Sequence, residues 1–197
     1  MGAILQSLGR TVVAGIVLLV IIIILVGAAS GHFIAVDMAW STFFMRYLHV
    51  LSGVMWIGLL WYFNFVQIPS MPKIPDEQKP AIGKVIAPTA LFWFRWAALS
   101  TVVTGLLLAL MNGYLVPALT FRAGTVSIGI GMWLALIMAY NVWFIIWPNQ
   151  KKALGIVQVA ADEKAKAARM AMLTSRINTL LSIPMLYCMV GQSHGGF

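Results

Sequence analysis

At 197 residues, 61% of them hydrophobic and only 9% charged, the chain carries more apolar surface than a soluble domain of this size can bury. A net charge of +8 would suit nucleic acid, but the basic residues lie in the connections between apolar runs, a pattern of membrane orientation that excludes nucleic acid as the partner. The single cysteine, Cys188, excludes a disulfide framework and a Cys-x-x-Cys-His site for covalent haem.

The expected fold is all-α: an integral membrane bundle forming one domain over residues 1–197, with five transmembrane helices. A span needs roughly 20 apolar residues. The first, about Thr11–Ala29, is uniformly Val/Ile/Leu-rich and suits a lipid-facing anchor. It follows Arg10 and ends in Ala28-Ala29-Ser30, as a signal peptide does. It is longer than the usual signal-peptide apolar region, so it is expected to be retained as a helix. The second span, about Phe43–Gln67, contains Arg46 and His49. The third is about Leu91–Asn112, with Arg95 one turn inside its start. The fourth, about Val126–Trp147, is expected to break at Trp147-Pro148-Asn149. The fifth, about Ile177–His194, contains Pro184.

The connections differ in kind. Gly31–Thr42 is short and holds His32 and Asp37. Ile68–Ala90 is proline-rich and is expected to be irregular, ending in a short helix. Asn149–Arg176 is basic and alanine-rich, which predicts an amphipathic helix over about 150–174 feeding the fifth span. With five crossings, all of the 13 lysines and arginines except Arg46 and Arg122 fall on one side. By the positive-inside rule the amino terminus is cytoplasmic and the carboxyl terminus periplasmic, in a multi-pass protein of the bacterial cytoplasmic membrane.

Ionisable groups inside a span are costly and need a partner or a role. Arg46, His49, Gly53 and Trp56 recur at helical spacing and share one face. A glycine one turn after a histidine lets a flat ligand approach the backbone. This face is expected to hold haem b, with His49 as an axial ligand and Arg46 pairing with a propionate. The predicted topology puts all three histidines near the outer surface. His194 is the expected second ligand, His32 its substitute, and Met45, Met55, Met185 and Met189 are alternative thioether donors. Copper held by outer-face His and Met is a second reading. The bland reading is a histidine bonded to a neighbouring helix, with Arg46 reaching the headgroups. The acids Asp37, Asp76, Glu77, Asp162 and Glu163 form no buried dyad, so nothing supports hydrolysis. Asn64, Gln67, Asn141, Asn149 and Asn178 suit helix capping and interhelical bonds, with a quinone headgroup as the alternative.

Three stretches carry a resemblance: RYLHVLSGVMWIG, NVWFIIWPNQKKA (Asn141–Ala153) and SRINTLLSIPMLYCMVGQSH (Ser175–His194). They resemble the membrane domain of bacterial urate hydroxylases, the cytochrome-c-linked urate oxidases. His49 and His194 fall on that family's histidine positions. The resemblance implies electron transfer to a periplasmic cytochrome c. That cytochrome is fused to the carboxyl terminus in the family but not seen in this sequence, so a separate cytochrome c or a larger membrane complex is the expected partner. Function is thus expected to be that of a haem b electron-transfer subunit, an oxidoreductase component. A urate- or purine-oxidising enzyme and a non-catalytic subunit of a respiratory or photosynthetic complex are the alternatives.

Overall fold

A computed structural model describes residues 2–196, and every regular element among them is helical. After a short turn at Gly2–Leu5 come α1 (Leu8–Ser30), α2 (Met38–Lys73), α3 (Lys79–Met111), α4 (Leu115–Leu119), α5 (Val126–Ala153) and α6 (Ala161–His194). The chain divides into two compact units, residues 1–43 and 44–197.

In the first unit α1 ends at Gly31, whose φ of 70° places it in the left-handed region that glycine tolerates. Phe33 then folds back onto Gly27, where a Cβ would sit 2.8 Å from the ring. Asp37 caps α2: its Oδ1 accepts from the Trp40 amide at 2.8 Å. This cap, missed in the sequence, starts the second span five residues before Phe43.

The second unit is a bundle of α2, α3, α5 and α6, and its cross-helix bonds define the register. Ser52 meets Ser100 at 2.8 Å and Phe63 meets Phe94 edge-on at 5.7 Å, so α2 and α3 are antiparallel. Trp61 Nε1 donates to Ser182 Oγ at 3.0 Å and Asn64 Nδ2 to Ser175 Oγ at 2.8 Å, which sets α2 against α6. Asn141 bonds Asn178 at 2.8 Å, while Gln192 of α6 caps α5 by accepting from Ile128 N at 3.1 Å. The apolar core between these bonds is Trp56, Leu60, Phe94, Met138 and Val142 with their neighbours. Lipid is as apolar as leucine, so close packing and interhelical bonds hold such a bundle rather than escape from water. Small residues allow the close approaches: Gly129 lies on the Ala118 carbonyl, and a Cβ at Gly131 would meet Cys188 Cβ at 3.1 Å.

Four helices, α1, α2, α3 and α5, are long and apolar enough to cross a membrane. The predicted 177–194 span lies within α6, which is long enough but more polar and is not among them. Its first half is charged, and in its second half Asn178 and Ser182 are fully buried, facing the bundle.

Two expectations are corrected. The stretch 68–90 is mostly helical, with only residues 74–78, which include Pro75, outside helix: Pro80 sits at the start of α3, where a missing N–H costs nothing, and Pro69 and Pro88 are carried inside α2 and α3. The fourth span does not break at Pro148. It widens into a π turn over Asn141–Ile146 and continues to Ala153. The same device recurs at Tyr62–Gln67 before Pro69 and at Ile82–Ile86 before Pro88. Proline crowds the carbonyl four residues earlier, and a wider turn relieves the clash without ending the helix.

Candidate functional site

His49 lies on α2 where that helix crosses α3. Its Nδ1 is 3.0 Å from the Thr101 carbonyl and 3.3 Å from Thr104 Oγ1. A carbonyl only accepts, so Nδ1 carries the proton and Nε2 keeps its lone pair. Thr104 Oγ1 spends its own hydrogen on Ser100 O at 2.6 Å, which leaves it able to accept from the ring as well. The ring can lie this close to α3 because position 105 is glycine. A Cβ there would meet His49 Cε1 at 2.8 Å and Nδ1 at 3.1 Å. An imidazole fixed through Nδ1–H to a carbonyl, with Nε2 unprotonated, is the usual arrangement of a metal-ligating histidine.

The other predicted residues of this face are placed as follows. Gly53 has open space beside it, the nearest atom to a Cβ being Thr101 Cγ2 at 4.0 Å. Trp56 is fully buried in the core, its Nε1 without a hydrogen-bond partner. Arg46 is exposed one turn before His49, and its charge acts on Tyr114, the residue preceding α4. Burial pushes the Tyr114 phenol up, and Arg46 opposes that shift.

His194 is the last residue of α6, exposed, with Nδ1 donating to the Val190 carbonyl at 3.0 Å. The register sets its height. Trp61 bonds Ser182, and His49 lies as many residues before Trp61 as His194 lies after Ser182. At 1.5 Å per residue both sit roughly 18 Å from that bond along the bundle. They share a level, but no hydrogen bond among the described residues joins the rings. His32 belongs to the first unit, where its Nδ1 is 2.8 Å from Ser30 O. Met185 is buried in the core and Met55 is exposed. No group of three or more His, Cys, Asp or Glu that could hold a metal ion occurs among the described residues.

At the other end of the second unit the amides act as expected of structural groups. Asn178 accepts from Asn141 and donates to Met138 O at 3.0 Å; Asn64 donates to Leu60 O at 2.9 Å; Asn149 donates to Ile145 O at 2.8 Å. Asn64 Oδ1 and Gln67 Oε1 are buried without partners. Sequence reasoning missed Thr101, Thr104 and Gly105. The one sign of them was a Ser-Thr-x-x-Thr-Gly run inside an apolar helix, which offers hydroxyls and a gap on one face.

Helices of this length and apolarity, with polar groups turned into the bundle, define an all-α membrane-associated protein. Residues 111–196 match the family described as Urate oxidase N-terminal, and over that part the chain is similar to it. The matched residues contain Asn141–Ala153 and Ser175–His194, two of the three stretches on which the resemblance was read. No curated protein and no solved structure matches the chain.

Proposed function

We propose that this chain is a haem b-holding electron-transfer subunit of the bacterial cytoplasmic membrane. It crosses the bilayer five times, with α6 as the fifth span, the amino terminus cytoplasmic and the carboxyl terminus periplasmic. It works with a periplasmic cytochrome c or a larger membrane complex. The observation that carries this reading is His49, whose Nδ1–H is committed to the Thr101 carbonyl while the lone pair of Nε2 is left for a ligand bond.

His49 and His194 are the residues that would hold the iron, and Arg46 would pair with a propionate. The haem would supply a one-electron couple, tuned by its axial ligands and by burial. Thr101 fixes the tautomer and aim of His49. Gly105 gives the ring its seat, and Gly53 leaves space on the same face. The placement of the basic connections on one side supports the orientation.

The test is iron content and visible absorption of the purified chain and its variants. Wild type is expected to carry iron and a Soret band, which His49→Ala loses and His32→Ala retains. An iron-free, colourless wild type overturns the proposal.

The family match favours a second reading, a urate- or purine-oxidising membrane oxidoreductase. It predicts urate-dependent reduction of added cytochrome c, and a flat trace would remove it.

A further inference from the structure

An apolar groove of about 420 Å³ runs between α3 and α5, within the roughly 300–1,000 Å³ of small-ligand clefts. Leu99 and Val102 form one wall; Leu136, Ala139, Tyr140 and Trp143 form the other. Leu99 and Tyr140 are exposed, so the groove opens sideways from the bundle. One turn before Leu99 on α3 is Arg95, and one turn after Trp143 on α5 is Trp147. These two lie one turn beyond the groove's lining on each helix and meet each other, the Arg95 guanidinium stacking on the Trp147 ring at 3.4 Å. Lys151 Nζ lies on the same ring at 5.7 Å.

The electrostatics of this end are incomplete. The ion pairs among the described residues are Lys79–Asp76, Lys152–Glu163 and Lys166–Asp162, so neither Arg95 nor Lys151 has an acidic partner. Arg95 is only 9% exposed and donates no hydrogen bond to the described residues, and its Nη1 is wholly occluded without a partner. Trp143 Nε1 is likewise buried and unpartnered. A buried guanidinium without a counter-charge is costly unless something outside the chain supplies one. Trp147 lies about 9 Å along the helix from the end of α5, and tryptophan is enriched where spans meet the lipid headgroups.

We propose that this groove binds an anionic phospholipid, its acyl chain along the α3–α5 walls and its phosphate on the guanidinium of Arg95, with Lys151 beside it. The argument rests on charge complementarity. Two cations without an acid ask for an anion, and the adjoining apolar groove asks for a chain attached to it. A free phosphate would leave the groove bare, and a zwitterionic lipid would bring its own cation against Arg95 and Lys151. Basic pockets between membrane helices are known sites for acidic headgroups.

The experiment is native mass spectrometry of the full chain released from detergent, titrated with phosphatidylglycerol or with phosphatidylcholine of matched chains. Wild type is expected to retain phosphatidylglycerol preferentially. Arg95→Gln and Lys151→Gln should each lower that preference about fivefold, the effect of one cation near an anionic headgroup. Lys151→Gln lies at the helix end, so it gives the answer even if Arg95→Gln fails to fold. Val102→Trp, which fills the groove and leaves both cations, should also lower retention. Equal retention of the two lipids, cation variants that match wild type, or displacement by inorganic phosphate at equal concentration would each overturn the proposal.

Discussion

Asn178 joins two helices through one side chain, and its removal gives the sharpest test of how the bundle is held. It is fully buried, accepts from Asn141 Nδ2 at 2.8 Å, and donates to the Met138 carbonyl at 3.0 Å, just before the π turn of α5. Asn178→Ala removes both bonds. Interhelical bonds in membrane proteins average about 0.6 kcal/mol each, which alone gives about 1 kcal/mol. The substitution also strands the Asn141 amide, which is buried, and an orphaned buried donor costs about 1–3 kcal/mol. These contributions overlap, so the expected loss is about 1–3 kcal/mol. Reversible unfolding in mixed detergent micelles, followed by helical circular dichroism, measures it. A double-mutant cycle with Asn141→Ala should show a coupling of about 0.6–1.7 kcal/mol. A loss below about 0.3 kcal/mol together with no coupling would refute the claim that this amide pair ties α5 to α6.

Other outcomes follow from single contacts. Gly105→Ala puts a Cβ 2.8 Å from the His49 ring and is expected to destabilise by about 1–3 kcal/mol by overpacking, whereas Gly58→Ala, with nothing within 4 Å, should be neutral or stabilising by up to about 1 kcal/mol; thermal unfolding of the pair decides. Lys152→Gln breaks a pair at 2.6 Å whose side chains are partly exposed, so it should cost no more than about 1 kcal/mol in the same assay. The Asp76 carboxyl lies outside the spans and is held below the usual carboxylate range by the hydrogen bond and charge of Lys79. Because its folded pKa is lowered, its contribution to stability is present above the ordinary carboxylate range and is lost as pH falls through the folded value. Carboxyl NMR titration should show Lys79→Gln moving Asp76 back up.

The helical architecture was legible because long apolar runs announce themselves by length. Boundaries were less so. Asp37 was read as a loop acid when it caps α2, and 68–90 was read as irregular on its prolines when all of them but Pro75 lie within helix. The widening of a helix before proline has no periodic signature, so all three π turns were invisible. Of the site, His49 stood out because an ionisable group inside an apolar run must be accounted for. Its partners did not, since a backbone carbonyl and a missing Cβ leave almost no mark in composition. The face shared by Arg46, His49, Gly53 and Trp56 also divides: Trp56 turns into the core while Arg46 stays exposed. Helical spacing alone cannot separate a residue facing a ligand from one facing a neighbouring helix.

Whether His49 ligates iron is decided most directly by the dithionite-reduced minus oxidised absorption spectrum of the intact purified chain. The account predicts a sharp reduced α band and a shifted Soret peak, both lost in His49→Ala and altered in His194→Ala while helical content stays the same. A featureless difference spectrum from folded, iron-free protein would contradict it, leaving the His49–Thr101 bond as a structural tie between α2 and α3.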